Sequence, residues 1–487
     1  MTGHITFLLN GEVQRLSGVT PATTLYQLLR SRGLTGTKEG CAEGDCGACT
    51  VAVTRIEDGE PRVRAVNSCI MLAGQLEGTS ITTVEHLKGP DGMLHPCQRA
   101  MADAHASQCG FCTPGFVMSL YAAYATNAPT EQLQDVNDLL AGNLCRCTGY
   151  GPIIEAARRM KAVAEPAWAA ERRAAEATAL TNFPRDKNVE FTHDGQRLFS
   201  PTTADELARI LILHPEATIV AGATDVGLWI TKQFREVPIL VSIARIAELT
   251  RLARSGDKLW IGAGVTYSEA HAMLGKLYPD LGELIRRLGS QLIRNSGTIC
   301  GNIANGSPIG DMPPALIALG STLVLRCGDT QRRMPLEDYF LAYGRQDRRP
   351  GEFVEAVEVQ LSAKPSELKC YKISKRFDQD ISAVCGCFNI GVDGGVVRTA
   401  RICFGGMAGT PKRPAEVEIA LVGKPWTLAT VEAALPAFEV DYTPLTDLRA
   451  SAGYRMMTAK NLLRRYFIET QVPCAQTRLA GVTAAFG

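Results

Sequence analysis

Along residues 4–85 the apolar positions come in short runs separated by turn residues. Ile5-Thr6-Phe7-Leu8-Leu9 and Val51-Ala52-Val53 read as strands, and Asn10-Gly11-Glu12 after the first run reads as a hairpin turn. Leu25, Leu28 and Leu29 fall at helical i, i+3, i+4 spacing, with Thr24 placed to cap them. The pattern then changes. Residues 98–104, 116–125, 131–140 and 153–163 each carry helical apolar spacing, which predicts four short helices packed as a small bundle. Residues 166–190 break the pattern with alanines, charges and Asn182-Phe183-Pro184, and read as a linker with a helical start. From 191 to 365 strands and helices alternate across Gly-rich junctions. The remainder is mixed, with a strand at Arg401-Ile402-Cys403-Phe404 and helices over 415–421 and 448–467.

Composition narrows the class. The chain has 487 residues, enough for several cores. With 51 Lys+Arg against 50 Asp+Glu the net charge is +1, which argues against a general nucleic-acid or anionic-membrane binder. The start lacks the basic and apolar regions of a signal peptide, and no run of eighteen apolar residues occurs. The expectation is a cytoplasmic protein with no membrane segment. Sixteen cysteines are present, nine of them from Cys41 to Cys147. In a reducing compartment such crowding points to metal ligation rather than disulfides.

Cys41, Cys46 and Cys49 follow the spacing C-x4-C-x2-C, with Cys69 as a distant fourth. This is the plant-type [2Fe–2S] pattern, and Gly40, Gly44 and Gly47 let the loop turn sharply and aim amides at the sulfurs. A zinc site would pair two CxxC-like clips, which this loop does not. Cys109-x2-Cys112 and Cys145-x-Cys147 form a second set across a gap of 32 residues. On spacing alone, zinc and iron–sulfur both fit it. Cys97, Cys327, Cys370, Cys385, Cys387, Cys403 and Cys474 read as ordinary thiols. Cys385 and Cys387 share a strand face, with no third or fourth ligand evident.

Two further loops are rich in small residues: Val220-Ala221-Gly222-Ala223-Thr224-Asp225-Val226-Gly227, and 298–311. Neither is a dinucleotide fingerprint or a P-loop. Phosphate binding and plain tight turns explain them equally well. The charged stretch 372–382 reads by composition as a solvated loop.

The two cysteine regions resemble the ferredoxin-like and helical [2Fe–2S] domains of the molybdenum hydroxylases. The resemblance rests on Gln108-Cys-Gly-Phe-Cys-Thr-Pro-Gly and Gly142-Asn-Leu-Cys-Arg-Cys-Thr-Gly-Tyr as well as the first loop, and runs over nearly all of residues 4–475. It implies an α+β multidomain chain. A β-grasp [2Fe–2S] domain occupies 1–86 and a four-helix-bundle [2Fe–2S] domain 87–166. A linker (167–190) leads to a vanillyl-alcohol-oxidase-type FAD domain (191–365) and a CO-dehydrogenase-flavoprotein-like C-terminal domain (366–487). By resemblance the iron ligands are Cys41, Cys46, Cys49 and Cys69, then Cys109, Cys112, Cys145 and Cys147. Gln108 and Cys147 match positions that approach the pterin. The implied FAD contacts are Ile219, Val220, Ala221, Gly222, Ala223, Thr224, Asp225, Val226, Leu288, Thr298, Ile299, Cys300, Gly301, Asn302, Asn305, Asp311, Val354 and Lys372. Cys300 departs from the family, where glycine is usual. The segment 372–382 is similar to one beside the flavin whose charges influence the choice between NAD+ and oxygen.

The family pattern implies a function. Electrons pass from a molybdenum–molybdopterin centre on a large partner subunit through two [2Fe–2S] clusters to FAD, which reduces NAD+. The chain ends soon after the flavin part, so the expectation is a separate small subunit in a dimer of heterodimers. Its partner would hydroxylate hypoxanthine and xanthine, and no catalytic residue for purine chemistry is expected in this chain. The alternatives are a sibling hydroxylase for aldehydes or N-heterocycles, a partnerless NADH-dependent reductase, and a zinc-binding module.

Overall fold

The computed structural model describes residues 3–361, 367–473 and 476–478. Cys474 and the expected boundary between residues 365 and 366 lie outside the described residues. The chain forms two units, Met1–Ala247 with Gly289–Gly297, and Glu248–Leu288 with Thr298–Gly487.

The first unit opens with the expected hairpin. Strands Ile5–Leu9 and Glu12–Leu16 pair antiparallel around Asn10 and Gly11, both at positive φ as a tight two-residue turn demands. Ile5–Leu9 also pairs in parallel with Ser80–Thr82, which lies beside Thr50–Glu57 and then Glu60–Asn67. Helix Leu25–Ser31 buries Leu25, Leu28 and Leu29, and Thr24 caps it by accepting from the Gln27 amide, as the spacing predicts. This is the β-grasp arrangement.

Four helices follow: Pro96–Asp103, Thr113–Ala125, Leu133–Leu140 and Gly151–Arg159. Helix Thr113–Ala125 is buried on nearly every side, with Phe116, Leu120 and Tyr121 packed among Val136, Ile153 and Met160. The stretch expected as a linker is helical over Ala167–Thr181. Its Glu176 is buried, accepting from the Ser80 hydroxyl and pairing with His86. A four-stranded sheet in the order Val189–His193, Gln196–Ser200, Ile239–Ser242, Thr218–Val220 completes the unit and shares its core with the β-grasp sheet.

The second unit holds two antiparallel sheets. The first runs Leu252–Ser255, Lys258–Gly262, Phe353–Gln360, Thr322–Cys327, Thr330–Pro335. The second runs Leu368–Ile373, Val384–Asp393, Val396–Gly405. Phe388, Phe404 and Tyr371 on one face of the second sheet pack with Val417, Phe438, Leu463 and Tyr466 from the C-terminal helices. Its other face meets helix Met312–Ala318, to whose carbonyls Asn389 and Arg401 donate. Among the described residues no helix is long and apolar enough to cross a membrane.

Candidate functional site

The loop carrying Cys41, Cys46 and Cys49 has little regular structure and turns through positive φ at Ala42, Gly44 and Gly47. Gly40 serves differently: a Cβ there would lie 2.9 Å from Cys46 Sγ. The amides of Asp45 and Cys46 donate to Cys41 Sγ at 3.4 and 3.3 Å, and Asn67 Nδ2 donates to Cys49 Sγ at 3.7 Å. Cys49 and Cys69 are buried and Cys41 and Cys46 half-buried. The four thiols crowd one another. Thiol hydrogen bonds from Cys46 and Cys69 hold Cys41 well below the usual thiol range, and Cys41 in turn pushes both partners up. Crowded sulfurs that already accept amide hydrogens suit anionic ligands of an iron–sulfur cluster.

The second set is more open. Cys109 and Cys147 are exposed, with their sulfurs 3.6 Å apart. Cys145 is buried, and its sulfur accepts from the Thr148 hydroxyl at 3.2 Å and amide at 3.5 Å. Burial, then the Cys145 thiol, push Cys112 up to about 12. Cys112 directly precedes helix Thr113–Ala125, and Cys145 and Cys147 lie just before helix Gly151–Arg159. Among the described residues no group of three or more His, Cys, Asp or Glu has single-ion geometry. All described cysteines are free thiols. Cys97 stands apart, fully buried against Met160.

The expected flavin residues fall in both units. In the first, Ile219 and Val220 end strand Thr218–Val220. Ala221 and Gly222 turn, Ala223 sits at φ +60°, and Thr224 and Asp225 lead into helix Val226–Thr231. Gly222 is required by its neighbours, because a Cβ there would lie 1.9 Å from the Ser296 carbonyl oxygen. The loop is fastened by Gln75 Nε2, which donates to the Ala221 carbonyl at 2.8 Å. Gly227 lies against the backbone of Ile70, the residue after Cys69, and a Cβ there would be 2.6 Å from the Ile70 oxygen.

In the second unit the expected loop at 298–311 begins instead as a short helix. Thr298 caps Ile299–Asn305 by accepting from the Gly301 amide at 3.0 Å. Cys300 turns its thiol inward to the Ile261 carbonyl, so its side chain belongs to the core. Asn302 Oδ1 is buried without a hydrogen-bond partner, an acceptor that suits a ligand donor. Leu288 follows helix Pro279–Arg286, and Val354 is buried in strand Phe353–Gln360. Asp311 and Lys372 are brought together: Lys372 Nζ donates to Asp311 Oδ2 at 2.6 Å and to Ser382 Oγ at 2.9 Å, all three buried. Ser382 also donates to Asp311. The stretch 372–382 is thus buried at its ends and exposed at Lys375, Arg376 and Phe377. Asn67, Gln75, Asn143 and Ser382 carry no local sequence signal for these contacts, although Asn143 and Ser382 lie within the motifs at 142–150 and 372–382.

Family comparisons agree with this division. Residues 7–74 match the 2Fe-2S iron-sulfur cluster binding domain, and 83–158 the [2Fe-2S] binding domain. Residues 190–360 match the FAD binding domain in molybdopterin dehydrogenase, and 369–470 the CO dehydrogenase flavoprotein C-terminal domain. The chain is 31% identical to a xanthine dehydrogenase of Drosophila subobscura, over 84% of this chain and 35% of that protein. It is 30% identical to a xanthine dehydrogenase of Emericella nidulans, over 95% and 38%. An aldehyde oxidase 2 of Macaca fascicularis is 32% identical over 74% and 31%. The chain therefore spans about a third of the length of these relatives. Among solved structures, a carbon monoxide dehydrogenase from Hydrogenophaga pseudoflava matches with TM-score 0.53 and 26% identity, over 55% of this chain and 94% of that one. A 2Fe-2S cluster binding domain, a second [2Fe-2S] binding domain, an FAD binding domain of the molybdopterin dehydrogenase type and a CO dehydrogenase flavoprotein C-terminal domain thus follow one another in this chain.

Proposed function

We propose that this chain is the electron-transfer subunit of a xanthine dehydrogenase. Cys41, Cys46, Cys49 and Cys69 hold one [2Fe–2S] cluster, and Cys109, Cys112, Cys145 and Cys147 hold the other. To FAD we assign Ile219–Val226, Leu288, Thr298–Asn302, Asn305, Asp311, Val354 and Lys372. The clusters supply one-electron transfer and the flavin hydride chemistry, which links a partner's molybdenum centre to NAD+. The chain's own residues tune this: amides of Asp45 and Cys46 aimed at Cys41 Sγ favour the more negative state.

The observation that carries the reading is the chain of contacts inside the first unit. The Leu144 amide, next to Cys145, donates to the Cys46 carbonyl at 3.0 Å. Ile70, next to Cys69, touches Gly227 beside the flavin loop. The open face of Cys109 and Cys147, ringed by exposed Phe111 and Leu144, suits a partner carrying the molybdenum cofactor. The test is anaerobic reduction of the co-purified complex, first by xanthine and then by NADH, watching flavin and iron–sulfur absorbance. Bleaching by both supports the proposal. Bleaching by NADH alone removes xanthine as the substrate. The aldehyde oxidase relative, of similar identity, then favours an aldehyde-hydroxylating partner as the second reading.

A further inference from the structure

Three backbone segments that carry cluster cysteines converge on one buried side chain. Asn143, two residues before Cys145, is 2% exposed. Its Nδ2 donates to the Gly47 carbonyl and to Thr50 Oγ1, both at 3.1 Å. Its Oδ1 accepts from Ser119 Oγ at 2.6 Å. The orientation of the amide is fixed by its partners. The Gly47 oxygen can only accept, and Thr50 spends its own proton on that same oxygen at 2.6 Å. Both amide hydrogens and the amide oxygen are therefore used, with Gly47 and Thr50 on one domain and Ser119 on the other.

The backbones around this amide leave no slack. A Cβ on Gly47 would lie 2.2 Å from the Gly142 oxygen and 2.5 Å from Asn143 Nδ2. A Cβ on Gly115, in the helix that starts just after Cys112, would lie 2.2 Å from the Gly47 oxygen. Leu144 adds the backbone bond to Cys46. The ligand-bearing segments around Cys46, Cys112 and Cys145 thus touch main chain to main chain, and Asn143 ties them together.

We infer that Asn143 is a positioning residue that sets the spacing of the two iron–sulfur clusters and keeps the Cys46–Leu144 hydrogen bond closed as a bridge between them. The side-chain hydrogen bonds of Asn143 go to Gly47, Thr50 and Ser119 rather than to an expected iron ligand, so its effect falls on the relation between the clusters rather than on either cluster. This rests on the cysteine assignments proposed above. Electron transfer and magnetic coupling between two centres both fall steeply with separation, so a small slip at this junction registers in each.

The test uses the full chain purified with its cofactors and reduced anaerobically, read by low-temperature electron paramagnetic resonance and by iron content. The parent chain should show two cluster signals split by mutual interaction. Asn143→Ala should keep the intensity and g-values of both signals but lose the splitting, and electrons supplied by NADH should spread between the clusters more slowly. Unchanged splitting and rate with both clusters present overturns the inference. If Asn143→Ala loses iron, Thr50→Val loosens the same clamp from the other side: weakened splitting supports the role, and splitting equal to the parent's overturns it. A parent chain that lacks either cluster signal instead overturns the cofactor reading, which keeps the two failures apart.

Discussion

Replacing Asp311 by Asn keeps the side chain's size and removes its charge. Lys372 then loses its counter-charge and keeps only neutral acceptors, Ser382 Oγ and the new amide oxygen, at a position where its side chain is 2% exposed. Breaking one half of a buried ion pair costs about 3–5 kcal/mol, because the remaining charge stays desolvated without its counter-charge. For a unit of this size each kcal/mol moves the unfolding temperature by about 2–4 °C, so the loss is roughly 6–20 °C. The double variant Asp311→Asn with Lys372→Met removes both charges, and most of the loss should return, since replacing a whole buried pair by neutral groups is often close to neutral. Thermal melts of the parent, both single variants and the double variant give the coupling directly. FAD content measured on the same samples separates stability from binding. If Lys372 contacts the cofactor, the double variant regains its melting temperature and stays poor in FAD. Asp311→Asn melting within about 2 °C of the parent, or a double variant as unstable as the single, would refute the reasoning.

Gly222→Ala places a methyl 1.9 Å from the Ser296 oxygen, so the loop 219–226 must shift, and the purified chain should lose most of its FAD while keeping its iron. Cys97→Ala should leave iron content unchanged, because Cys97 is a buried thiol whose proton is held by burial. Cys46→Ala should cost one cluster's iron. His95 is pushed down to about 4, first by burial and then by the Arg173 charge, and its Nδ1 accepts from the Cys97 amide. The unfolded imidazole titrates near 6.5, so the unfolded chain binds more protons between about 6.5 and 4. Stability therefore falls by up to about 3 kcal/mol as pH drops through that window. Urea midpoints at the two ends should show a smaller acid loss in His95→Gln, and an equal loss would refute the role of His95.

The features legible in the sequence are those whose physics is local. Leu25, Leu28, Leu29 and Thr24 lie within one helical turn or two, and Asn10-Gly11 carries its turn in its own φ values. The cysteine loops share this property, since three ligands of the first set fall within nine residues. The features that escaped depend on distant partners. Helix Ala167–Thr181 looks like solvated linker because its composition is Ala and charge, yet Glu176 is drawn inward by Ser80 and His86. Asn143 gained its role only from Gly47, Thr50 and Ser119. Thr298 reads in the sequence as a hydroxyl donor in a loop; its oxygen also caps a short helix that short-range apolar spacing is too brief to announce.

Of the eight cysteines outside the two sets, Cys370, Cys385, Cys387 and Cys403 show the same dependence on register. Cys385 and Cys387 were expected to share a strand face with nothing to join them. Strand pairing supplies the neighbours: Cys370 lies opposite Cys387, and Cys403 opposite Cys387 on the other side, a row that no one-strand reading can produce. The row is nevertheless unlike the ligand sets. Burial pushes Cys387 and Cys403 well above the usual thiol range, so they keep their protons, whereas crowding by sulfur and amide hydrogens holds Cys41 below it. The face they line lies close against helix Met312–Ala318, where even a Cβ on Gly405 would come within 3.3 Å of Pro314. A small, polarizable, weakly polar side chain fits such a gap better than a branched one. Cysteine number alone therefore does not mark a metal site in this chain. What sets the proposed ligand sets apart is that amide or hydroxyl hydrogens reach the sulfur at Cys41, Cys49 and Cys145, whereas in the row beneath the C-terminal sheet Cys385 receives the thiol of its neighbour Cys387.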